Sequence, residues 1–274
     1  MFDTFINPGI PPVIFWLFVG TAIILQGIGK SGLAGAGVLS LPLMMMVMPV
    51  DKVAATMLPL LCLCDYNAIY HHRRNVVWKQ VWLVFLPSII GIGIGTYLWW
   101  RMGQAGIEAY SVPLKRFVGI VALVFGIYIV AKEQSLGWVA HHKAGPKMGV
   151  FTGILAGVSS TLVHAASPIV SLYLFSQGFG KTLFVGTMAW TFAFINTAKL
   201  PSYAAIGMLS SDVLYFDLFL IPLIPIGSYM GKWLLHTVSE SHFNRAMMVL
   251  TIFAGLQLLF NIQLIPWVVE QFMG

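Results

Sequence analysis

Charge is scarce in this chain. Of 274 residues, 9% are Asp, Glu, Lys or Arg, against about 25% in soluble domains. Mean hydropathy is +0.86 and 58% of residues are hydrophobic. A soluble domain is excluded, and a polytopic membrane protein is indicated. Long polar stretches are also missing: the longest connection, Lys132–Lys147, has sixteen residues. That leaves no room for an aqueous domain. Cysteine is limited to Cys62 and Cys64, two apart in one apolar run. At helical spacing they face different ways, so they read as small buried hydrophobes. No HExxH, GxSxG or paired-carboxylate pattern is present, which leaves an enzyme without a nucleophile or a metal. The methionine run Met44–Met48 has no Cys/His cluster beside it, so neither a metal nor a cofactor is expected. The basic excess, +6, serves to orient helices and attract anions rather than to bind nucleic acid.

A crossing helix needs about 20 apolar residues. Ten hydrophobic segments meet or approach this, at 12–28, 32–48, 52–70, 77–100, 113–131, 147–162, 165–178, 182–207, 213–235 and 243–264. The segments 12–28, 147–162 and 165–178 are short. No basic residue precedes Lys30, so the charged start of a signal peptide is missing and 12–28 is expected to stay as the first helix. The densest basic cluster, His71-His72-Arg73-Arg74, marks a cytoplasmic loop. Alternation then puts ten basic residues inside, Arg73, Arg74, Lys79 and Lys181 among them, and Lys52, Arg101, Lys115 and Arg116 outside. Both termini are expected to be periplasmic, in a multi-pass inner-membrane protein.

The chain repeats itself. Gly27 and Pro42 recur 126 positions on as Gly153 and Pro168. Thr56 and Asp65 recur 131 positions on as Thr187 and Asn196. Arg116 and Gly126 recur 129 positions on as Arg245 and Gly255. Halves at 1–135 and 136–274 hold five segments each. An odd number forces opposite insertion, as in transporters with a midplane site between inverted repeats. The expected fold is an all-α polytopic membrane protein of about ten helices in two inverted-topology repeats. Short or broken helices would lie at the midplane of one integral membrane domain.

Three constellations carry chemistry. Lys199 lies inside the apolar stretch 181–207, where a lysine costs about 2.5–3.5 kcal/mol on insertion scales and marks an ion or substrate path. Asn196, Lys199 and Tyr203 share one helix face. An ion pair of Lys199 with Asp65, read as the acidic residue well inside a span, is the structural alternative. The second constellation is Gly27–Gly37, where Lys30, Ser31, Gly35 and Gly37 suit an anion at a helix start; close helix packing through the glycines, with Lys30 as a cytoplasmic anchor, is the alternative. It is not a phosphate-binding P-loop, because Ile24 stands where a glycine is needed. The third is Gly153–Pro168, with Ser159, Ser160, Thr161, His164 and Ser167. Hydroxyls and imidazole donate to oxyanions, and His164 or Asp65 suits proton coupling or gating. Back-bonding of the hydroxyls to their own helix is the alternative. The small-residue stripe Gly91-Ile92-Gly93-Ile94-Gly95 suits packing within the chain or in a homo-oligomer.

The ordered phrases Gly29–Pro42, His72-Arg73-Arg74-Asn75-Val76-Val77-Trp78, Phe184-Val185-Gly186-Thr187 and Asn196–Tyr203 together resemble the TauE/SafE family of sulfite and organosulfonate exporters. The resemblance spans nearly the whole chain. It implies a bacterial-type inner-membrane carrier of small sulfur-containing anions such as sulfite, taurine-derived sulfonates, sulfoacetate or thiosulfate. This chain has Gly35-Ala36-Gly37 where many members have three glycines, and Ser/Thr/His in the second half where some have a glycine-rich motif. Export by alternating access, on a proton or sodium gradient, is the expected function. An anion channel and a membrane scaffold without substrate remain as alternatives.

Overall fold

The computed structural model describes residues 3–30, 34–134, 144–237, 249 and 252–262. Every regular element among them is helical. Lipid offers no partner to backbone N–H and C=O groups, and helices satisfy them internally. A 3-10 turn, Asp3–Phe5, precedes α1 (Pro12–Lys30), α2 (Ala34–Val47), α3 (Val50–His72), α4 (Trp78–Ala105) and α5 (Glu108–Gln134). Then follow α6 (Pro146–Val163), α7 (Ser167–Ser176), α8 (Lys181–Ala205), α9 (Ser211–Leu220) and α10 (Leu223–Thr237). Residues 252–259 are helical as well; the rest of the expected segment 243–264 lies largely outside the described residues.

Local chemistry sets these bounds. Pro146 opens α6, where its missing N–H is not needed. His164 closes α6 at φ +50°, and Gly178 and Gly207 follow α7 and α8 with positive φ. The segments expected from hydropathy lie close to the observed helices, with one correction. The stretch 213–235 is two helices, α9 and α10, bent by 42°. Pro222 stands at the joint, where it lacks an N–H and its ring crowds the carbonyl of Leu218.

The chain is a multi-pass membrane protein. α1, residues 50–70 of α3, and α4 are long and apolar enough to cross a bilayer, and α9 with α10 passes the same test as a bent pair. Val13, Ile90, Tyr97, Phe219 and Tyr229 are all more than half exposed, which suits lipid rather than water. With ten residues, α7 spans about 15 Å, half of a hydrocarbon core about 30 Å thick.

α6 lies along α4, α1 lies along both α2 and α10, and α3 crosses α8. Missing side chains permit the close contacts. A Cβ on Gly91 would sit 2.1 Å from the Ile154 carbonyl, and one on Gly157 2.2 Å from that of Ser88. On the other pair, a Cβ on Gly227 would sit 2.4 Å from the Ile24 carbonyl. Gly91 and Gly95 therefore pack within the chain, while Gly93 has nothing within 4 Å. Cys62 and Cys64 are free and buried.

Candidate functional site

The site is built where α3 and α8 cross. Asp65, fully buried on α3, uses both carboxylate oxygens. Oδ1 pairs with Lys30 Nζ from the end of α1. Oδ2 accepts from Asn196 Nδ2 at 2.6 Å. One position further, the Tyr66 and Thr197 hydroxyls lie 2.8 Å apart. Both α3–α8 pairs join residues 131 positions apart. The lysine on Asp65 is thus Lys30, not Lys199. Its ammonium also stands 4.8 Å from the centre of the Phe192 ring, a cation–π contact.

Lys199 is fully buried on α8 and faces the end of α6 instead. Its Nζ donates to Ser160 O at 3.0 Å, to Ser160 Oγ at 2.8 Å and to His164 Nδ1 at 3.0 Å. An ammonium has three donors, and these use all of them. Since an ammonium only donates, Nδ1 accepts, and the Nε2–H of His164 donates to Ala54 O at 2.8 Å. The last carbonyls of a helix carry partial negative charge. Lys199 meets that charge at Ser160 O, which also accepts from the His164 N–H at 3.0 Å. Thr161 O is served by Trp99 Nε1 at 2.8 Å and by the Tyr203 hydroxyl. Thr161 Oγ1 donates back to Gly157 O, the bonding that keeps a hydroxyl within its own helix.

A cavity of about 160 Å³ lies between the hairpin of α1 and α2 and the hairpin of α6 and α7, with α3, α5 and α8 completing its wall. It brings together six of the residues singled out in the sequence: Lys30, Gly37, Ser160, His164, Ser167 and Asn196. Thr161, Lys199, Tyr203 and Asp65 stand behind its wall. Ser31 lies outside the described residues, and Gly35 lies in the first turn of α2. Three polar lining residues were missed: Gln26, Ser40 and Ser171. Gln26 carried a signal, being the one carboxamide in the first apolar run, one turn before Lys30. Ser40 Oγ lies 2.8 Å from Gln26 Oε1 and 2.7 Å from Gly37 O. The hairpin is tight here, for a Cβ on Gly29 would come 2.7 Å from the Gly37 nitrogen. Among the described residues, the cavity's polar lining is one cation, two carboxamides, hydroxyls and an imidazole, with no carboxylate. Such a set suits a small anion.

A second acidic residue lies inside a span. Asp217 on α9 is 3% exposed, and neither of its oxygens has a hydrogen-bond partner among the described residues. The sequence reading sets Asp65 alone in this class. Hydropathy averaged over 213–235 hides Asp217.

The sequence matches the family described as Sulfite exporter TauE/SafE over residues 17–258. No curated protein and no solved structure matches it significantly.

Proposed function

The chain belongs to the Sulfite exporter TauE/SafE family, and on that premise we propose that it is a secondary transporter. It carries a small sulfur oxyanion, sulfite or an organosulfonate, outward across the inner membrane by alternating access. The observation that carries this reading is the cavity between the hairpins, lined by no carboxylate among the described residues and with Lys30 at its wall. The anion takes the second N–H of Asn196, the Ser160 hydroxyl and the Lys30 ammonium. Because Lys199 donates to Ser160 Oγ, the proton of that hydroxyl is left for the cavity. Lys199 is a positioning residue in this account. The starts of α2 and α7, with Gly37 and Ser167, add favourable helix dipoles.

Two halves, 1–135 and 136–274, of opposite insertion would supply the moving parts. Two observations support them. Equivalent positions meet each other, Asp65 with Asn196 and Tyr66 with Thr197, as residues on a two-fold axis do. Partners are also exchanged: the first helix of one half, α1, packs on α10, and its counterpart α6 packs on α4. The cavity runs toward Ala68 and Phe184, near the end of α3 and the start of α8. By the positive-inside orientation that end is cytoplasmic, and both termini are periplasmic. At the opposite end Met44, Met45 and Met48 are packed into the core. We read this conformation as inward-facing, and the packed methionine end as favouring a carrier over a channel. When the anion takes Lys30, Asp65 keeps Asn196 but loses its cation, and becomes the residue to carry a coupled proton. His164 is the alternative carrier.

The test is sulfite efflux from proteoliposomes. Ser160→Ala removes one hydrogen bond to an anion, about 1.5–3 kcal/mol, or about 10- to 100-fold in transport. A wild-type rate in that variant contradicts the proposed site.

A further inference from the structure

A second cavity, about 280 Å³, lies beyond the closed end of the first. Its polar lining is Lys115, Asn7, Gln257 and Asn261. This is again one cation with carboxamides and, among the described residues, no carboxylate. Lys115 has no hydrogen-bond or ion-pair partner among the described residues. Gln257 is 7% exposed, and Asn261 takes φ +51° at the end of the last helical stretch.

The two cavities share two helices. On α2, Leu41 and Pro42 line the first, and Met45 and Met46 the second. On α5, Val118 lines the first and Lys115 the second. Each pair of positions is three or four residues apart, one turn of helix, about 5.4 Å. Between them Leu41, Met44, Met45, Leu114 and Val118 are packed in one buried cluster. A plug about one turn thick therefore separates two anion-suited chambers. Methionine is unbranched and repacks readily. Pro42 removes one hydrogen bond from α2 beside it. The run Met44–Met48, without a role so far, forms the core of this plug.

We propose that the outer cavity is a second binding site for a small oxyanion of a strong acid, with Lys115 as its cation and Asn7, Gln257 and Asn261 as hydrogen-bond donors. Its use as a release chamber behind the methionine plug rests on the carrier reading. The binding site itself does not, and the test addresses the site alone. The headgroup of an anionic phospholipid offers the same chemistry, so the test also separates that source.

Ile262 lines the cavity and is 48% exposed, so Ile262→Cys places a thiol at its rim; Pro8→Cys is an independent second position. The native cysteines are buried, and the parent protein supplies the background. The purified full chain is labelled with a sulfonate-bearing thiosulfonate and with its trimethylammonium counterpart, each rate normalised to a free thiol. A unit charge at water-like dielectric acts on the two reagents in opposite senses, so the anionic one gains by about five-fold. Lys115→Gln removes that preference. Sulfate slows labelling when Lys115 is present, whereas chloride at equal ionic strength does not. Equal rate ratios with and without the Lys115→Gln substitution, at both thiol positions, overturn the proposal, as does an absence of protection by sulfate. Labelling blocked in vesicles containing anionic lipid but free in phosphatidylcholine assigns the cavity to a headgroup and overturns it too.

Discussion

Lys199 and Lys30, both expected from the sequence to meet the anion, have different surroundings in the fold. Lys199 is enclosed by three acceptors at the end of α6, while Lys30 is 20% exposed and reaches the cavity. Removing either leaves different orphans. Lys199→Met strands His164 Nδ1 and takes the donor from Ser160 Oγ, while Ser160 O keeps the His164 N–H; a buried unpaired group costs about 1–3 kcal/mol. Its melting temperature in detergent should fall by several degrees, with transport lost through the misplaced Ser160. Lys30→Gln strands a buried carboxylate, which costs about 3 kcal/mol or more. The double variant Lys30→Gln/Asp65→Asn should recover much of that stability without recovering sulfite efflux. Recovery of both would make Lys30 purely structural. Asp217 is the contrary case. An acid so deeply buried, with no hydrogen-bond partner among the described residues, contributes nothing visible to the fold. Asp217→Asn should melt at or above the wild-type temperature.

At the scale of elements, contacts between α4 and α6 and between α1 and α10 depend on glycines. Gly91→Ala puts a methyl group 2.1 Å from the Ile154 carbonyl, overpacking that typically costs about 1–3 kcal/mol. Gly93→Ala meets nothing within 4 Å and gains helix propensity, about 1 kcal/mol. Thermal melts of the two variants should move in opposite directions. The sequence carried the helices well, because an apolar run in lipid has few ways to satisfy its backbone. It carried the α9–α10 break poorly, since Pro222 reads the same in a kinked and in a straight apolar run. Of the site, the residues with unusual cost at membrane depth were legible: Lys199, Asp65 and Asn196. Which lysine pairs with Asp65 was not, because α1 and α3 are brought together by packing that no local pattern encodes. Gln26, Ser40 and Ser171 were ordinary polar interruptions until the fold turned them inward.

The whole molecule has two cavities, one reaching Ala68 and Phe184 and one beside Met45 and Met46. The proposed orientation makes a prediction of its own. An impermeant thiol reagent should label Arg101→Cys from the periplasm and Lys79→Cys only after the membrane is opened. The reverse pattern would invert the direction assigned to the cavity. The central claim is that the inner cavity holds a sulfur oxyanion, and the most direct test is thermal stability of the purified chain with sulfite, thiosulfate, taurine, isethionate, sulfoacetate and matched carboxylates. A ligand at about 100 times its Kd stabilises the folded state by about 2.7 kcal/mol. At least one sulfur oxyanion should give such a shift, retained in Lys115→Gln and lost in Ser160→Ala. No shift with any of them, or an equal shift with the carboxylates, would contradict that claim.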